Sequence, residues 1–329
     1  MSHLRLSLAL DGGGLTLPDE GRIAIFAPHD PLQISPLPKA RCHVITGFKP
    51  DFDLFEGAGY ECSVAPEGRY CAVVVVLPRA KAQGFAMIAQ AAEISDGPVI
   101  IDGAKTDGVE SMLRVLRKRG PVSGPISKAH GKIFWIENGA GFSDWAATET
   151  KPVEGGFATA PGVFSADGTD PASLFLADNL PVKLGGNIVD LGAGWGYLAA
   201  RILERETVKS VDLVEADYAA LACARQNVND TRANFHWADA PSWTAPNRVE
   251  TVVMNPPFHA GRKADPEIGR AFIAAAANML APSGHLWMVA NRHLPYEPAL
   301  HEAFSQVEEV AGNSRFKILH AQRPSRHKR

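Results

Sequence analysis

Residues 185–203 read GGNIVDLGAGWGYLAARIL. An apolar run from Ile188 to Leu191 enters a loop with glycine at 192, 194 and 196, and a helical pattern starts near Tyr197. Strand, glycine loop and helix in that order make a βα unit of a parallel sheet. The glycines let the backbone turn sharply and let a ligand approach the main chain with no Cβ in the way. The helix behind them offers unpaired N–H groups and the positive end of its dipole, which suits an anionic group. The spacing is G-x-G-x-G rather than the G-x-G-x-x-G of dinucleotide sites. For this stretch alone, a tight turn without a ligand stays open as the alternative.

Working outward, VKSVDLVEAD (208–217) is a second short strand ending in acid, and YAALACARQNVND is a helix. ANFHWADA and VETVVMNPPF are a third and a fourth strand, IGRAFIAAAANML an Ala-rich helix closed by a turn at APSG, and HLWMVAN a fifth strand. PALHEAFSQV (298–307) reads as a further helix and RFKILHAQR as a last strand. Strands alternating with helices of this length predict an α/β fold, a mostly parallel doubly wound sheet covered on both faces.

The first half echoes the second. AVVVVLPRAKAQGFAMIAQAAEISDGPVIIDG (72–103) repeats the order found from Thr251 onward: apolar strand ending in proline, helix, glycine turn, apolar strand. The register that aligns the strands sets Leu77-Pro78-Arg79-Ala80 over Asn255-Pro256-Pro257-Phe258. The early strand RIAIFAPHDP is followed by no glycine loop, so this half has the scaffold without the chemistry. A helix, GVESMLRVLRKRG, and a strand, KIFWI, follow. The alternation of Leu4, Leu6, Leu8 and Leu10 predicts a strand at the N-terminus. Small and polar residues dominate from Gly139 to Gly156, which sets the linker there and the domain boundary near Glu154.

Composition narrows the class. The 329 residues are 46% hydrophobic and 21% charged, with a net charge of −3. That is a globular chain with ample core and no global basic field. Cys42, Cys62, Cys71 and Cys223 have no metal-ligand spacing and read as reduced core thiols of a cytoplasmic protein. No apolar run has the length of a membrane span, and the N-terminus has no signal-peptide pattern.

Candidate chemistry gathers at the ends of the second-half strands. Glu215 closes the second strand, where an acid in such sheets accepts from both ribose hydroxyls. With Asp190, Gly192, Gly194 and Gly196 it suits a nucleoside that carries a carboxylate rather than a pyrophosphate, namely S-adenosylmethionine. Asp239, after the third strand, is placed to accept from an adenine amino group, with a plain loop aspartate as the alternative. Asn255-Pro256-Pro257-Phe258 closes the fourth strand. The Asn255 side-chain oxygen and the Pro256 carbonyl can both accept from one planar –NH₂, the prolines stiffen the loop, and Phe258 offers a ring face for stacking. As a strand stop alone, the two prolines would need no further explanation. His259 reads as a loop histidine and Trp195 as a wall. Arg117, Lys118, Arg119, Lys128 and Lys132, with Arg323, Arg326, Lys328 and Arg329 at the tail, are the local cations available for RNA phosphates.

In combination the glycine loop, Glu215 and NPPF resemble class I S-adenosylmethionine-dependent methyltransferases acting on a planar nitrogen. PGVFSADGTDPASLFLADNLP before the loop, NPPFH after it, RFKILHAQR at the end and GPISKAHGKIFWI in the first half resemble the bacterial small-subunit ribosomal RNA guanine-N2 methyltransferases of the methyltransferase C type. The resemblance implies two tandem Rossmann-like methyltransferase domains. Residues 1–153 would be a degenerate scaffold that holds RNA, and 154–329 the catalytic domain. It implies that Asp170 and Ser173 pack beside the methionine end of the cofactor and that Asn255, Pro256, Pro257 and Phe258 line the target pocket. It further implies ribosomal RNA or the small subunit as partner, no metal, no membrane and a monomer. A protein-glutamine methyltransferase, or a non-catalytic ribosome-assembly factor that retains the fold, are the other readings of the same residues.

Overall fold

Two mixed sheets of seven strands are laid out in the same order. The computed structural model describes residues 3–137, 141–146, 151–257, 259–260, 263–264 and 266–325. They fall into two compact units, Met1–Glu149 and Thr150–Arg329.

The first unit runs α1 (His3–Leu10), β1 (Ile23–Phe26), β2 (Cys42–Ile45), α2 (Lys49–Gly57), β3 (Glu61–Ser63), β4 (Ala72–Val76), α3 (Lys81–Ile94), β5 (Val99–Ala104), α4 (Val109–Arg117), β6 (Ser123–Lys128) and β7 (Gly131–Ile136). Its sheet order is β3-β2-β1-β4-β5-β7-β6. Strands β1 to β5 pair in parallel, and β7 runs antiparallel to both β5 and β6. Every residue of β1, β2 and β4 is buried, as expected for strands with helices on both faces.

The second unit opens with a hairpin, β8 (Lys151–Pro152) and β9 (Ala158–Thr159), followed by α5 (Pro171–Asn179). Then come β10 (Asn187–Leu191), α6 (Tyr197–Leu203), β11 (Ser210–Glu215), α7 (Tyr218–Asn227), β12 (Ala233–Trp237) and β13 (Val249–Met254). A second hairpin, β14 (His259–Ala260) with β15 (Lys263–Ala264), leads to α8 (Pro266–Met279), β16 (Leu280–Asn291), α9 (Glu297–Ala303), β17 (Phe304–Gly312) and β18 (Phe316–Pro324). The sheet order β12-β11-β10-β13-β16-β18-β17 repeats the first sheet strand for strand. The echo at 72–103 is therefore topological, with β4 matching β13 and β5 matching β16.

The repeat also locates what the first copy lacks. Where the glycine loop follows β10, β1 is followed by Ala27 and Pro28. Where Glu215 closes β11, β2 runs into Thr46. Where Asn255 follows β13, the buried Leu77 follows β4.

Three sequence expectations need correction. Residues 3–10 form a helix, not a strand, because its buried residues (Arg5, Leu6 and Ala9) follow helical spacing while Leu8 stays 45% exposed. Arg5 is held there by the buried carboxylate of Asp102 on β5, with bonds of 2.5 and 3.0 Å. The helix expected over 298–307 stops at Ala303, and Phe304 instead opens β17, which pairs along its length with β18. APSG (281–284) lies within β16, at a register shift against β13. Among the described residues no helix is long and apolar enough to cross a membrane.

Candidate active site

The parallel pairing of β10, β11, β12 and β13 brings Leu191, Glu215, Trp237 and Met254 to one edge of the second sheet. Among the described residues, the predicted Asp190, Gly192, Gly194, Gly196, Glu215, Asp239, Asn255, Pro256 and Pro257 lie on or just past that edge. The loop after β10 is anchored by the Gly192 and Ala193 amides, which donate to the Val214 carbonyl at 2.9 and 3.0 Å. All three glycines have positive φ: 80° at Gly192, 55° at Gly194 and 90° at Gly196. A Cβ on Gly196 would stand 2.9 Å from Val228 Cγ2 and 3.2 Å from Ala224 Cβ, whereas one on Gly194 would meet nothing within 4 Å. Gly196 thus serves helix packing, and Gly194 leaves open space over the backbone.

Asp190 is fully buried at the end of β10, and neither carboxylate oxygen has a hydrogen-bond partner. Burial pushes its carboxyl up to about 7; the Ala199 amide, near but outside hydrogen-bond geometry, pulls the other way, and the nearby charge of Glu215 adds to the rise. A buried carboxyl without a donor suits a cationic ligand group. Glu215 is held by two backbone amides, Gly194 N–H to Oε2 and Asp217 N–H to Oε1, both at 2.8 Å. Its pKa is raised by burial, against the pull of those amides. A carboxylate has about four acceptor sites, so two remain for a ligand's hydroxyls. These features fit S-adenosylmethionine: room over Gly194, acceptors on Glu215 and an acid at Asp190 for its positive charge. Asp239 lies in the loop after β12, where its main-chain carbonyl accepts from Ser242 and Trp243. Like Asp190 and Glu215, it is on the right edge and borders neither hollow described below.

Asn255, the first residue past β13, is the most constrained of the set. Its Nδ2 donates to Asp170 Oδ2 and to Ser173 Oγ, both at 2.9 Å. Asp170 caps the N-terminus of α5, and the same Oδ2 accepts the Ser173 amide at 2.8 Å. A carboxylate only accepts, so the Asn255 –NH₂ must face Asp170, which leaves Oδ1 turned away. Oδ1 accepts no hydrogen bond from a described residue. Pro256 is buried and Pro257 exposed. Phe258 and the His259 side chain lie outside the described residues, as do Arg326, Lys328 and Arg329.

Asn255 and Asp170 stand in the wall between two hollows. One, about 40 Å³, faces Gly192, Gly194, Tyr197 and Ser173. The other, about 160 Å³, faces Pro256, Asn291, Tyr296, Arg315 and Phe316. Phe164, 57% exposed, borders both. Phe164, Asn291 and Arg315 were missed as site residues. Phe164 and Arg315 lie in or beside segments that carry the family resemblance, and only the fold brings them to Asn255. Trp195 is 3% exposed among Phe157 and Tyr197, a wall as expected. The basic stretch is thinner than its sequence implies: Arg119 is paired with Asp144 and stacked 4.2 Å over Trp145, and Lys132 lies 3.4 Å from Glu110. Arg117, Lys118 and Lys128 are exposed.

The family model for the methyltransferase small domain matches residues 154–320. Curated relatives called ribosomal RNA small subunit methyltransferase C include one from Psychromonas ingrahamii, 30% identical over 77% of this chain and 76% of that protein. Another, from Hahella chejuensis, is 32% identical over 67% of this chain and 68% of its own. A solved T. thermophilus 16S rRNA N2 methyltransferase, in complex with AdoMet and guanosine, matches with a TM-score of 0.79 at 25% identity, covering 98% of this chain and 91% of that one. The chain belongs to the ribosomal RNA small subunit methyltransferase C family, and its second unit is a methyltransferase small domain.

Proposed function

We propose that the second unit methylates the exocyclic N2 of a guanine in small-subunit ribosomal RNA, with the target amine held at Asn255 between the two hollows. S-adenosylmethionine, when bound, supplies a methyl group made electrophilic by its sulfonium. Glu215 and the backbone at Gly194 hold the nucleoside end, Asp190 faces the positive charge, and Asp239 is the candidate for the adenine amino group. Asn255 Oδ1 and the Pro256 carbonyl accept the two hydrogens of the target amine. That draws electron density back from the ring to nitrogen and stabilises the positive charge that grows there as the methyl bond forms. The prolines keep both acceptors aimed, so the reactants meet already aligned. Phe258 provides the stacking face. The methylated nitrogen is then a strong acid and yields its proton to water, so the chain needs no general base.

The observation that carries this reading is the position of Asn255, with its amide oxygen unspent and a hollow on each side. The target base must leave its stack, at a cost of about a few kcal/mol that contacts elsewhere recover. We assign that grip to the first unit, through Arg117, Lys118 and Lys128, in a monomeric cytoplasmic protein. The test is methyl transfer to ribosomal RNA from cells that lack this gene, followed by nucleoside mass analysis. N2-methylguanine that appears with the wild-type chain and falls about a hundredfold with Asn255→Ala supports the reading. An unchanged rate in Asn255→Ala overturns it.

A further inference from the structure

We infer that Asp170 and Ser173 are positioning residues for methyl transfer: they lock the Asn255 amide in the one orientation that presents oxygen, not nitrogen, to the target amine. The inference rests on the proposed role of Asn255 and gives Asp170 and Ser173 a role other than contact with the methionine end of the cofactor.

A primary amide is nearly symmetrical in shape, and rotation by 180° about its last torsion exchanges oxygen for –NH₂. In the flipped state the amide would point donors at a donor, and the target amine would lose its acceptor. Nothing in the sequence NPPF prevents that flip. The two bonds to α5 do, because they use both hydrogens of Nδ2, one on a charged oxygen and one on a hydroxyl. Ser173 is 7% exposed and Asn255 part-buried, so water competes weakly for these bonds. The brace joins the end of β13 to the first turn of a helix 82 to 85 residues earlier in the chain.

The segment Asp170-Pro171-Ala172-Ser173 is organised around this double duty. Asp170 is the N-cap, Pro171 takes the first helical position, where a missing N–H costs nothing, and Ser173 lies at the third. One oxygen, Asp170 Oδ2, both caps the helix and takes the Asn255 hydrogen. The start of α5 therefore sits in fixed register with the catalytic amide.

The experiment compares Asp170→Ser, Asp170→Asn, Ser173→Ala and Asn255→Ala in the full chain, with Asp170→Ser also made in the Asn255→Ala background. Serine keeps a cap but is too short to reach Asn255, whereas asparagine keeps an oxygen for both bonds. The readouts are kcat and KM on ribosomal RNA, S-adenosylhomocysteine affinity by calorimetry, and melting temperature. The expected result is that Asp170→Ser and Ser173→Ala lower kcat about tenfold or more, while KM and S-adenosylhomocysteine affinity change less than about twofold. Asp170→Asn stays near wild type, and Asp170→Ser adds no further loss once Asn255 is alanine.

If Asn255→Ala is impaired but Asp170→Ser and Ser173→Ala keep full kcat, the brace is inert and the inference fails alone. If Asp170→Ser weakens S-adenosylhomocysteine binding and leaves kcat intact, Asp170 is a cofactor contact instead. If Asn255→Ala itself turns over normally, the proposed function fails and this inference with it. Should Asp170→Ser melt early, Ser173→Ala and Asp170→Asn, which leave the cap in place, decide the matter.

Discussion

Glu215 accepts the backbone N–H of Gly194 at 2.8 Å, tying the end of β11 to the middle of the glycine loop. The carboxylate thereby shapes the loop over which it would bind a ribose. Because its other oxygen holds the Asp217 amide, Glu215 has no rotational freedom left. It meets a ligand already oriented, so little ordering is left for binding to supply.

Replacing Glu215 should therefore act twice. Glu215→Ala strands the Gly194 and Asp217 amides and removes the hydroxyl acceptors, and calorimetry should show S-adenosylmethionine affinity falling about tenfold or more. Glu215→Gln, which keeps one acceptor oxygen, should fall in between. Equal affinity in all three proteins would remove Glu215 from the cofactor site.

Asp190 sets a pH dependence. Its carboxyl is raised from the ordinary aspartate value to about 7, so the folded protein holds a proton that the unfolded chain has lost. The stability this contributes is full below about pH 4 and lost as pH rises through about 7, at a slope of at most about 1.4 kcal/mol per pH unit. The stability of wild type relative to Asp190→Asn, which does not titrate, should fall from pH 5 to 7 and then level off. Binding of a cationic ligand beside Asp190 favours the ionised form. S-adenosylmethionine affinity should accordingly rise with pH up to about 7 and flatten above it, and Asp190→Asn should abolish the slope. Chemical denaturation and calorimetry across that range provide both measurements.

Gly194 and Gly196 should separate binding from packing. Gly196→Ala combines a positive φ of 90° with contacts to Val228 and Ala224, and should cost about 2–5 kcal/mol of stability. Gly194→Ala has only its φ of 55° against it, about 1 kcal/mol. Its methyl group would occupy the ligand's approach, so affinity should drop more than stability. Urea melts paired with calorimetry would expose the crossover, and parallel losses would refute it.

The RNA grip should depend on the exposed cations and not on Arg119, which is committed to Asp144 and Trp145. Reversing Arg117 and Lys118 to glutamate should raise the KM for RNA and reduce the salt slope by roughly two charges' worth, with cofactor affinity unchanged. Arg119→Ala should instead lower the melting temperature, because it removes local packing around Trp145. Identical salt slopes for wild type and the double reversal would take the RNA contacts elsewhere.

Much of this protein is legible in its sequence because the deciding signals are local. The glycine loop, Glu215 nineteen residues past Gly196 and NPPF after an apolar run each lie within a few residues of a strand end. A parallel sheet then carries all of them to one edge, whatever the rest of the chain does. The echo between 72–103 and the region from Thr251 likewise rests on strand and helix periods that neighbouring residues set.

Other features were decided by contacts across long sequence separations. Residues 3–10 alternate like a strand, yet they form a helix because Leu6 and Ala9 find a core and Arg5 reaches Asp102, 97 residues away. Phe304 leaves the helical pattern because β18 offers it a ladder of partners. Arg119 reads as a free cation until the fold brings Asp144 beneath it. Asp170 and Ser173 have local signals only for a helix cap; their hold on Asn255 exists because α5 packs over the end of β13. Backbone period and turn chemistry are properties of neighbours and can be read in order. The pairing of a buried amide with its acceptors is a property of packing, and in this chain the folded second unit alone brings them together.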